Sequence, residues 1–312
     1  MLLLTRKEVE DLLDPNELLS VLEEGFKALS SGQLNAPPRN QAVADKGLLV
    51  GMPAYLPGHA MSVKLVTIFH ENRKYNVPDH QATITLFDSE TGSPIAFMDG
   101  EHITAMRTAA GAVLSIKHLA RKNSNTLAII GAGVLGHAHL QMIGTLVGID
   151  KIFVASKDFS KAQALASRDP RALAVDSVRK AVSQADVVCL CTSSLEPVIH
   201  ADWVKEGSHI TSVGYRPPGG ELPRDLVEAS RVFVESRVAY QTPPVGSAEL
   251  QGLDPETGTE LGELLLKQRP GRVSDHETTI YKSMGHAMED LVTANLVLQK
   301  ARSKSVGRNF EL

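Results

Sequence analysis

The stretch 127–136, Leu-Ala-Ile-Ile-Gly-Ala-Gly-Val-Leu-Gly, decides the fold of the chain. Its four apolar residues predict a buried strand, and the G-x-G-x-x-G turn that follows opens an amphipathic helical pattern over 134–147. This order of elements is typical of a dinucleotide-binding unit. Gly131 permits the tight turn, Gly133 lets the backbone approach a pyrophosphate, and Gly136 lets the helix pack on the strand. The first amides of the helix then face the negative charge.

Alternating strands and helices continue after this stretch. Further apolar strands are predicted at 152–155, 187–191, 209–213 and 232–234, with helices between most of them at 159–167, 177–184 and 224–229. Strands separated by helices predict a parallel, doubly wound sheet that binds its ligand at the carboxyl ends of the strands. The Pro- and Gly-rich loop 215–220 directly follows one of these ends.

The two ends of the chain have a different pattern. Residues 1–117 begin with a helical pattern between Val9 and Phe26, and short strands and a final helix follow it. This order predicts an α+β arrangement with an antiparallel sheet. Residues 276–303 are predicted to be helical, with 275–277 (Asp-His-Glu) opening that helix because acidic residues complement the helix dipole.

Composition limits the classes of function. A chain of 312 residues is long enough for two domains of roughly 100–200 residues each. The net charge of −4 gives no support to a nucleic-acid or membrane partner, and two cysteines cannot form a disulfide framework. The amino-terminal apolar run is too short for a secretory signal. We therefore expect a cytoplasmic protein that acts on a small molecule.

The residues after the second strand of the dinucleotide-binding unit bear on the choice of cofactor. An acidic residue at that strand end would bind the ribose hydroxyl of NAD. The chain has Ser156 and Lys157 there, which suit the 2′-phosphate of NADP, and Asp158 comes one position later. The sequence predicts NADP as the preferred cofactor, with NAD as the alternative.

Ordered segments along nearly the whole chain resemble the ornithine cyclodeaminase/mu-crystallin family. They are Pro38-Arg39, 52–55 (Met-Pro-Ala-Tyr), 63–66 (Val-Lys-Leu-Val), 91–96 (Thr-Gly-Ser-Pro-Ile-Ala), 107–110 (Arg-Thr-Ala-Ala), 118–121 (His-Leu-Ala-Arg), the glycine turn, 281–285 (Tyr-Lys-Ser-Met-Gly) and Glu289-Asp290. The resemblance implies an α/β fold in which a Rossmann-type, doubly wound parallel sheet domain (118–279) is inserted into an α+β substrate-binding and dimerisation domain (1–117 with 280–312). It also implies a homodimer.

The same resemblance implies roles for individual residues. Arg39, Lys64 and Arg107 would hold the substrate carboxylate, with Lys64 and Arg107 as catalytic residues. The residue types suit this role, because a guanidinium grips a carboxylate in a bidentate manner and an ammonium is a compact donor. The resemblance also implies a set of residues that bind the cofactor in addition to Gly131, Gly133, Gly136 and Lys157. They are Thr83, Thr108, Val134, Leu135, Ser156, Thr192, Val213, Gly214 and Ser283.

One loop departs from the cyclodeaminase pattern. Cyclodeaminases of the family carry an aspartate in a pattern like Gly-x-Asp-x-Pro-Gly, whereas this chain has Arg216 there, or Tyr215 if the gap shifts. Cyclodeamination moves protons on ammonium groups and therefore needs a positioned acid/base. Reduction of a preformed imine needs mainly orientation and charge stabilisation. The sequence therefore predicts an NAD(P)H-dependent oxidoreductase of cyclic ketimines such as pyrroline-2-carboxylate or piperideine-2-carboxylate.

Three alternatives stay open. An ornithine cyclodeaminase, a lyase that forms L-proline and ammonia with NAD, would need Glu221 or Asp225 as its acid/base, and both are predicted to belong to the helix after the loop. An enzyme similar to alanine dehydrogenase would reduce a keto acid with ammonia. A non-catalytic, NADPH-loaded binding protein would use the same cations without turnover.

The sequence predicts no metal site. Cys189 and Cys191 lie two residues apart in an apolar strand, which predicts packing. His137 and His139 have no carboxylate or cysteine at metal-ligand spacing.

Overall fold

The computed structural model describes residues 1–311, with Arg73 described by its backbone alone. The chain forms two compact units, one of residues 1–107 with 286–312 and one of residues 108–285. The second unit is thus inserted into the sequence of the first. The predicted boundaries at 117 and 280 fall within the second unit, and the roles predicted for the two parts stay predictions.

The helices and strands follow one another along the chain. The strands are β1 (Leu2–Leu4), β2 (Asn40–Ala44), β3 (Gly47–Ala54), β4 (Met61–Ile68), β5 (His80–Phe87), β6 (Pro94–Asp99), β7 (Thr126–Ile130), β8 (Lys151–Ala155), β9 (Ala172–Ala174), β10 (Val187–Leu190), β11 (His209–Ser212), β12 (Arg231–Val234), β13 (Thr259–Glu260), β14 (Thr279–Lys282) and β15 (Arg308–Asn309). The α-helices are α1 (Arg6–Leu12), α2 (Pro15–Ser30), α3 (Glu101–Leu119), α4 (Val134–Ile143), α5 (Phe159–Ala166), α6 (Val178–Val182), α7 (Arg224–Glu228), α8 (Leu261–Leu265) and α9 (Ala287–Lys304).

The first unit contains a seven-stranded sheet in the order β15-β1-β6-β5-β4-β3-β2. Its strand pairs are antiparallel except that β1 runs parallel to β6. This confirms the prediction of an α+β arrangement with a largely antiparallel sheet. Helix α9 packs on β3, β4 and β5.

The two faces of this sheet differ, because successive side chains of a strand point to opposite faces. On β4, Lys64 is buried on the face that α9 covers, whereas the neighbouring Leu65 is half-exposed. The strand register places a row of side chains on the face of Leu65, which we call the outer face. The outer face includes Leu3, Val63, Leu65, Thr83, Thr85 and Phe97.

The second unit contains an eight-stranded sheet in the order β13-β12-β14-β11-β10-β7-β8-β9, with every pair parallel. The chain proceeds outward from β7 to β8 and β9, and then returns to the other side of β7 with β10 and β11. The reversal between β7 and β10 is the place where doubly wound sheets bind ligands. The predicted Rossmann-type architecture is confirmed.

The prediction of one helix over 276–303 was wrong. Residues Thr279–Lys282 form β14, which pairs with β11 and β12, and the last helix begins only at Ala287. Gly285 adopts a left-handed conformation (φ 80°), and His286 caps the helix. The acidic residues at 275–277 therefore do not open the helix, and Glu277 pairs with Arg231 at 2.8 Å instead.

The helical pattern between Val9 and Phe26 is divided into α1 and α2. Asp14 caps α2 by accepting hydrogen bonds from the amides of Asn16 and Glu17, and Pro15 takes the first helical position.

In the described chain, no helix combines the length and the apolar character that a membrane crossing needs. The cytoplasmic location stays a prediction.

Candidate active site

Four charged side chains of the first unit form a buried ion cluster. The ammonium Nζ of Lys64 lies 2.7 Å from Oδ2 of Asp290. The guanidinium of Arg107 places Nε 3.1 Å from Oδ1 of Asp290 and Nη1 2.8 Å from Oε2 of Glu289. None of the four residues (Lys64, Arg107, Glu289 and Asp290) is more than 3% exposed. Asp290 thus joins the two cations that the sequence implied as catalytic.

Three elements position the cluster. Lys64 comes from the interior of β4, and Arg107 comes from α3, where small residues follow it. The two carboxylates lie in the first turn of α9, where negative charge is favoured by the helix dipole. Glu289 also accepts a hydrogen bond from the amide of His286 (2.7 Å), so the capping of α9 fixes its carboxylate.

Burial and the neighbouring charges shift the pKa values in this cluster. Burial lowers the pKa of Lys64 to about 8, although the adjacent Asp290 opposes this shift. The positive charges of Arg107 and Arg39 lower it further. Burial alone would raise the pKa of Asp290, but Arg107 and Lys64 hold it below its usual value. Lys64 is therefore an ammonium that can give up its proton near neutral pH.

Arg39 lies near this cluster, in the loop before β2, and is partly exposed. Its charge acts on Lys64, so the structure brings together the three cations that the sequence implied. Guanidinium and ammonium groups suit the carboxylate of a small ligand, and the Lys64 ammonium would also serve as a proton donor.

The glycine turn of the second unit has the geometry of a dinucleotide site. Gly131 has a φ of 109°, and a Cβ there would lie 2.6 Å from the carbonyl oxygen of Cys191. A Cβ on Gly136 would lie 2.1 Å from the carbonyl oxygen of Gly131. Gly133 caps α4 without a side-chain hydrogen bond, and the space around it is open. The first amides of α4 thus face open space, which fits a pyrophosphate group.

The end of β8 has the residues predicted to select NADP. Ser156 is partly buried and Lys157 is exposed. The carboxylate of Asp158 accepts hydrogen bonds from the amides of Ser160 (3.1 Å) and Lys161 (3.4 Å) and caps α5. Both of these hydrogen bonds go to Oδ1, so one oxygen of the Asp158 carboxylate is engaged in capping α5.

A buried carboxylate lies at the carboxyl ends of β10 and β11. Oε1 of Glu221 accepts hydrogen bonds from the amide (2.5 Å) and hydroxyl (2.7 Å) of Thr192. Its Oε2 accepts from the hydroxyl of Ser212 and the amide of Gly214, both at 2.8 Å. The prediction that Glu221 belongs to the following helix was wrong, because α7 begins at Arg224 and Glu221 is fully buried before it. Asp225 lies in α7, as predicted, and is exposed.

Two further buried residues join Glu221, and we call Glu221, Glu249 and Lys282 the Glu221 network. Nζ of Lys282 lies 2.7 Å from Oε2 of Glu249 and donates to the carbonyl of Gly214 (2.6 Å) and the hydroxyl of Ser212 (3.0 Å). Oε1 of Glu249 accepts from the amide of Glu221 at 2.7 Å. Ionic side chains buried at the ligand-binding edge of a sheet have a cost, which these contacts offset.

Ser283 has a separate buried partner. Its hydroxyl donates to Oε1 of Glu235 (2.5 Å), which also accepts from the amide of Gly285 (2.9 Å). Ser283 directly follows β14, so it lies at the same edge of the sheet as Thr192 and Gly214.

The remaining sequence-predicted residues lie in different environments. Thr83 is on the outer face of the first sheet beside Leu65, on the opposite side from Lys64. Thr108 is buried in α3. Val134 is 67% exposed at the first position of α4, and Leu135 beside it is partly buried. Val213 is buried directly after β11.

The loop that departs from the cyclodeaminase pattern is fixed by backbone contacts. Nη1 of Arg216 donates to the carbonyl of Ser193 (3.0 Å), and the hydroxyl of Tyr215 donates to the carbonyl of Pro244. Glu221, a few residues further along the chain, is engaged in the network described above.

The two cysteines are free and buried, as predicted for packing. Burial raises the pKa of Cys189 to about 12, which keeps it as an unreactive thiol. His139 is also buried, and its Nδ1 donates to the carbonyl of Leu135 (2.7 Å). Within residues 1–311, no group of His, Cys, Asp and Glu side chains is arranged to hold a metal ion.

Sequence reasoning did not assign a role in the site to Asp290, Glu235, Glu249 or Lys282. The charged residues Glu289 and Asp290 precede the apolar part of α9, and Lys282 lies in an otherwise β-forming stretch. A charge inside an apolar segment is a signal of burial with a partner. The partner itself is distant in sequence and could not be inferred.

Comparisons with known proteins identify the family of the chain. The profile of the ornithine cyclodeaminase/mu-crystallin family matches residues 1–305. Ketimine reductase mu-crystallin of Mus musculus is 36% identical over 303 residues, covering 94% of this chain and 95% of that protein. The structure of Thermococcus litoralis Δ1-pyrroline-2-carboxylate reductase with NADH and L-proline is 34% identical, with a TM-score of 0.93, and the match covers 99% of this chain and 100% of that one. An archaeal alanine dehydrogenase dimer with bound NAD is 30% identical, with a TM-score of 0.90, and the match covers 100% and 99% of the two chains. The chain belongs to the ornithine cyclodeaminase/mu-crystallin family.

Proposed function

We propose that this protein is an NAD(P)H-dependent reductase of cyclic imino acids such as Δ1-pyrroline-2-carboxylate or Δ1-piperideine-2-carboxylate. The observation that carries the proposal is the buried ion cluster, in which Lys64, with a pKa of about 8, lies beside two arginines. The mouse and Thermococcus litoralis relatives, named for ketimine and pyrroline-2-carboxylate reduction, support the same reaction.

The residues of the cluster have different roles in imine reduction. A bound nicotinamide cofactor supplies the hydride that the imine carbon accepts. Arg39 and Arg107 hold the substrate carboxylate, and Lys64 donates the proton from its Nζ to the imine nitrogen. The C=N double bond thereby becomes a C–N single bond with one new hydrogen on each atom. Asp290 favours the charged form of Lys64, so the proton donor is present at neutral pH.

The cyclodeaminase alternative lacks a suitable acid/base. The family resemblance places Arg216, or Tyr215 if the gap shifts, where cyclodeaminases have an aspartate. Both oxygens of Glu221 already accept hydrogen bonds from the strand ends, and Asp225 is exposed in α7. A reaction that must remove protons from two ammonium groups is therefore less well supported than reduction of a preformed imine.

We further propose NADP as the preferred cofactor. Ser156 and Lys157 present a hydroxyl and a cation at the end of β8, while Asp158 is engaged in capping α5. A cation suits the 2′-phosphate, which only NADP has. The Thermococcus litoralis and archaeal relatives were solved with NADH and NAD. The preference for NADP thus rests on the residues of this chain alone.

We also propose that the protein is a homodimer and that the outer face of the first sheet forms its interface. Leu65 and Phe97 are each about 40% exposed on that face, and large apolar residues of this kind are favoured at subunit contacts. The archaeal alanine dehydrogenase relative is a dimer. The occupant we propose for the outer face is therefore a second copy of this chain.

The function is tested by following NADPH and NADH oxidation with pyrroline-2-carboxylate and with piperideine-2-carboxylate. Parallel reactions supply pyruvate with ammonia, or ornithine with NAD⁺, the latter assayed for proline and ammonia. We expect oxidation that depends on the ketimine and that Lys64→Met abolishes. Formation of proline and ammonia from ornithine would instead establish a cyclodeaminase. Oxidation of NADPH or NADH that needs pyruvate and ammonia would establish an alanine dehydrogenase. Cofactor binding without any turnover would leave the binding-protein alternative.

A further inference from the structure

We propose that the Glu221 network positions the nicotinamide end of the cofactor site, so that Glu221 and Lys282 are positioning residues and not an acid/base pair. This inference rests on the proposed function, since it takes the second unit to bind a nicotinamide dinucleotide. It assigns a role to three buried charged residues that take no part in the mechanism proposed above.

The location of the network supports this role. In a doubly wound sheet, the pyrophosphate lies at the first glycine turn, and the dinucleotide spans the carboxyl ends of the strands on either side of the switch point. The glycine turn follows β7, and Ser156 follows β8 on the adenosine side. The other half of a dinucleotide therefore lies over the ends of β10 and β11. Glu221 holds these two ends together.

The contacts of Glu221 fix the backbone and not only side chains. Its carboxylate accepts from the amides of Thr192 and Gly214, one after each strand, and from the hydroxyls of Thr192 and Ser212. A single carboxylate thereby sets the distance between the loops that follow β10 and β11. Thr192 and Gly214 are two of the residues that the family resemblance implied as cofactor contacts.

Lys282 and Glu249 extend the same constraint to β14 and to the loop after β11. Lys282 donates to the carbonyl of Gly214 and pairs with Glu249, which accepts from the amides of Glu221 and Leu222. Three adjacent strand ends are thus held by one connected set of charged hydrogen bonds. Networks of this kind are rigid because each buried member depends on the others for its partners.

The carboxylate of Glu221 has no free position at which to take a proton from a substrate in this arrangement. Glu221 is fully buried, Lys282 is fully buried, and Glu249 is nearly so. Each carboxylate oxygen of Glu221 already has two donors. The charges therefore hold the backbone in place. Loss of one of them should weaken cofactor binding more than it slows the chemical step.

The test compares NADPH with its nicotinamide-free fragment, 2′-phospho-ADP-ribose, or NADH with ADP-ribose if the protein takes NADH. Both dissociation constants are measured by calorimetry. We expect Glu221→Gln to weaken NADPH binding about tenfold and to leave the fragment nearly unchanged, because one charged hydrogen-bond acceptor is lost near the nicotinamide alone. The matched control is Asp186→Asn, a carboxylate before β10 that accepts from the amides of Asn125 and Thr126 at the opposite edge of the sheet. We expect it to lower the melting temperature without changing either dissociation constant.

Each result decides the question. Equal weakening of both ligands by Glu221→Gln, or no change in either, would overturn the positioning role. If Glu221→Gln does not fold, Ser212→Ala removes one contact each from Glu221 and Lys282, and a loss of about threefold confined to NADPH is then expected. A wild-type protein that binds neither NADPH nor NADH would refute the proposed function itself, which is a distinct outcome.

Discussion

The ammonium of Lys64 lies 2.7 Å from the carboxylate of Asp290, and both side chains are buried between β4 and α9. The pair balances two opposing effects. Burial disfavours the ammonium, while the adjacent carboxylate favours it. The result is a pKa of about 8 for Lys64, close to neutral, where a general acid is most effective.

The pH dependence of imine reduction should report this pair. Because Lys64 must be protonated to act, we expect kcat/KM to fall as the pH rises through about 8. Asp290→Asn removes the group that raises the pKa of Lys64, so the alkaline limb should move to lower pH by about 1 unit or more. The measurement is a pH profile of kcat/KM for both proteins with the same ketimine.

A matched variant separates this effect from general disturbance of the cluster. Glu289→Gln also removes a buried carboxylate, but the ion pair that it breaks is the one with Arg107. The alkaline limb of Glu289→Gln should therefore move less than that of Asp290→Asn. Identical limbs in wild type and Asp290→Asn would mean that another group, such as the substrate iminium, sets the profile.

Replacing Arg39 should affect substrate binding, whereas replacing Arg107 should affect the stability of the fold. Arg39 is partly exposed, whereas Arg107 is buried with two carboxylates. We expect Arg39→Met to raise KM for the ketimine about tenfold with an unchanged melting temperature. Arg107→Met should lower the free energy of unfolding by about 3–5 kcal/mol, because it leaves buried carboxylates without their cation. Steady-state kinetics and chemical denaturation distinguish the two. Equal stability of both variants would contradict the described burial of the cluster.

The parallel-sheet unit could be predicted from sequence because its signals are local. The glycine turn lies directly between a strand and a helix, and Asp158 follows the next strand within a few residues. β14 was mistaken for part of a helix because its pairing with β11 and β12 is not visible along the chain. The same reason applies to the site. Lys64 could be implicated through its strand, but its partner Asp290 lies at the far end of the sequence.

Cofactor choice should depend on Lys157. Lys157→Ala removes the exposed cation after β8, so we expect KM for NADPH to rise about tenfold and KM for NADH to stay nearly constant. The matched control is Lys151→Ala, an exposed lysine at the opposite end of the same strand. Kinetics with both cofactors provide the measurement. An equal change with NADPH and NADH would remove the basis for the NADP preference.

The outer face of the first sheet should determine the oligomeric state. A charge at Leu65 or Phe97 would be desolvated in an interface, so Leu65→Glu and Phe97→Glu should convert a dimer into a monomer. Leu173→Glu, at an even more exposed apolar position on β9 of the other unit, should have no effect. Light scattering after size-exclusion chromatography gives the mass. A dimer that survives both changes would place the interface elsewhere.

The burial of His209 predicts that the protein loses stability as the pH falls. It is fully buried, with Nε2 3.0 Å from the hydroxyl of Ser115 and Nδ1 2.8 Å from the hydroxyl of Thr279. Burial, reinforced by the charge of Arg272, lowers its pKa to about 3. The folded protein therefore keeps this histidine neutral, whereas the unfolded chain binds a proton below about pH 6.5. Its contribution to stability is complete above that pH and declines as the pH falls toward 3.

The slope of stability against pH isolates this contribution. Between about pH 6 and about pH 4, one such histidine changes the free energy of unfolding by up to about 1.4 kcal/mol per pH unit. His209→Gln removes the proton acceptor from the unfolded chain, so its slope should be smaller than that of wild type, whatever its stability at neutral pH. His276→Gln, at a histidine that is 81% exposed, serves as the control for replacing a histidine at the surface. Denaturation curves at several pH values supply the slopes. If His209→Gln and wild type lost stability in parallel, His209 would have to be charged in the folded state, which its burial beside Arg272 opposes.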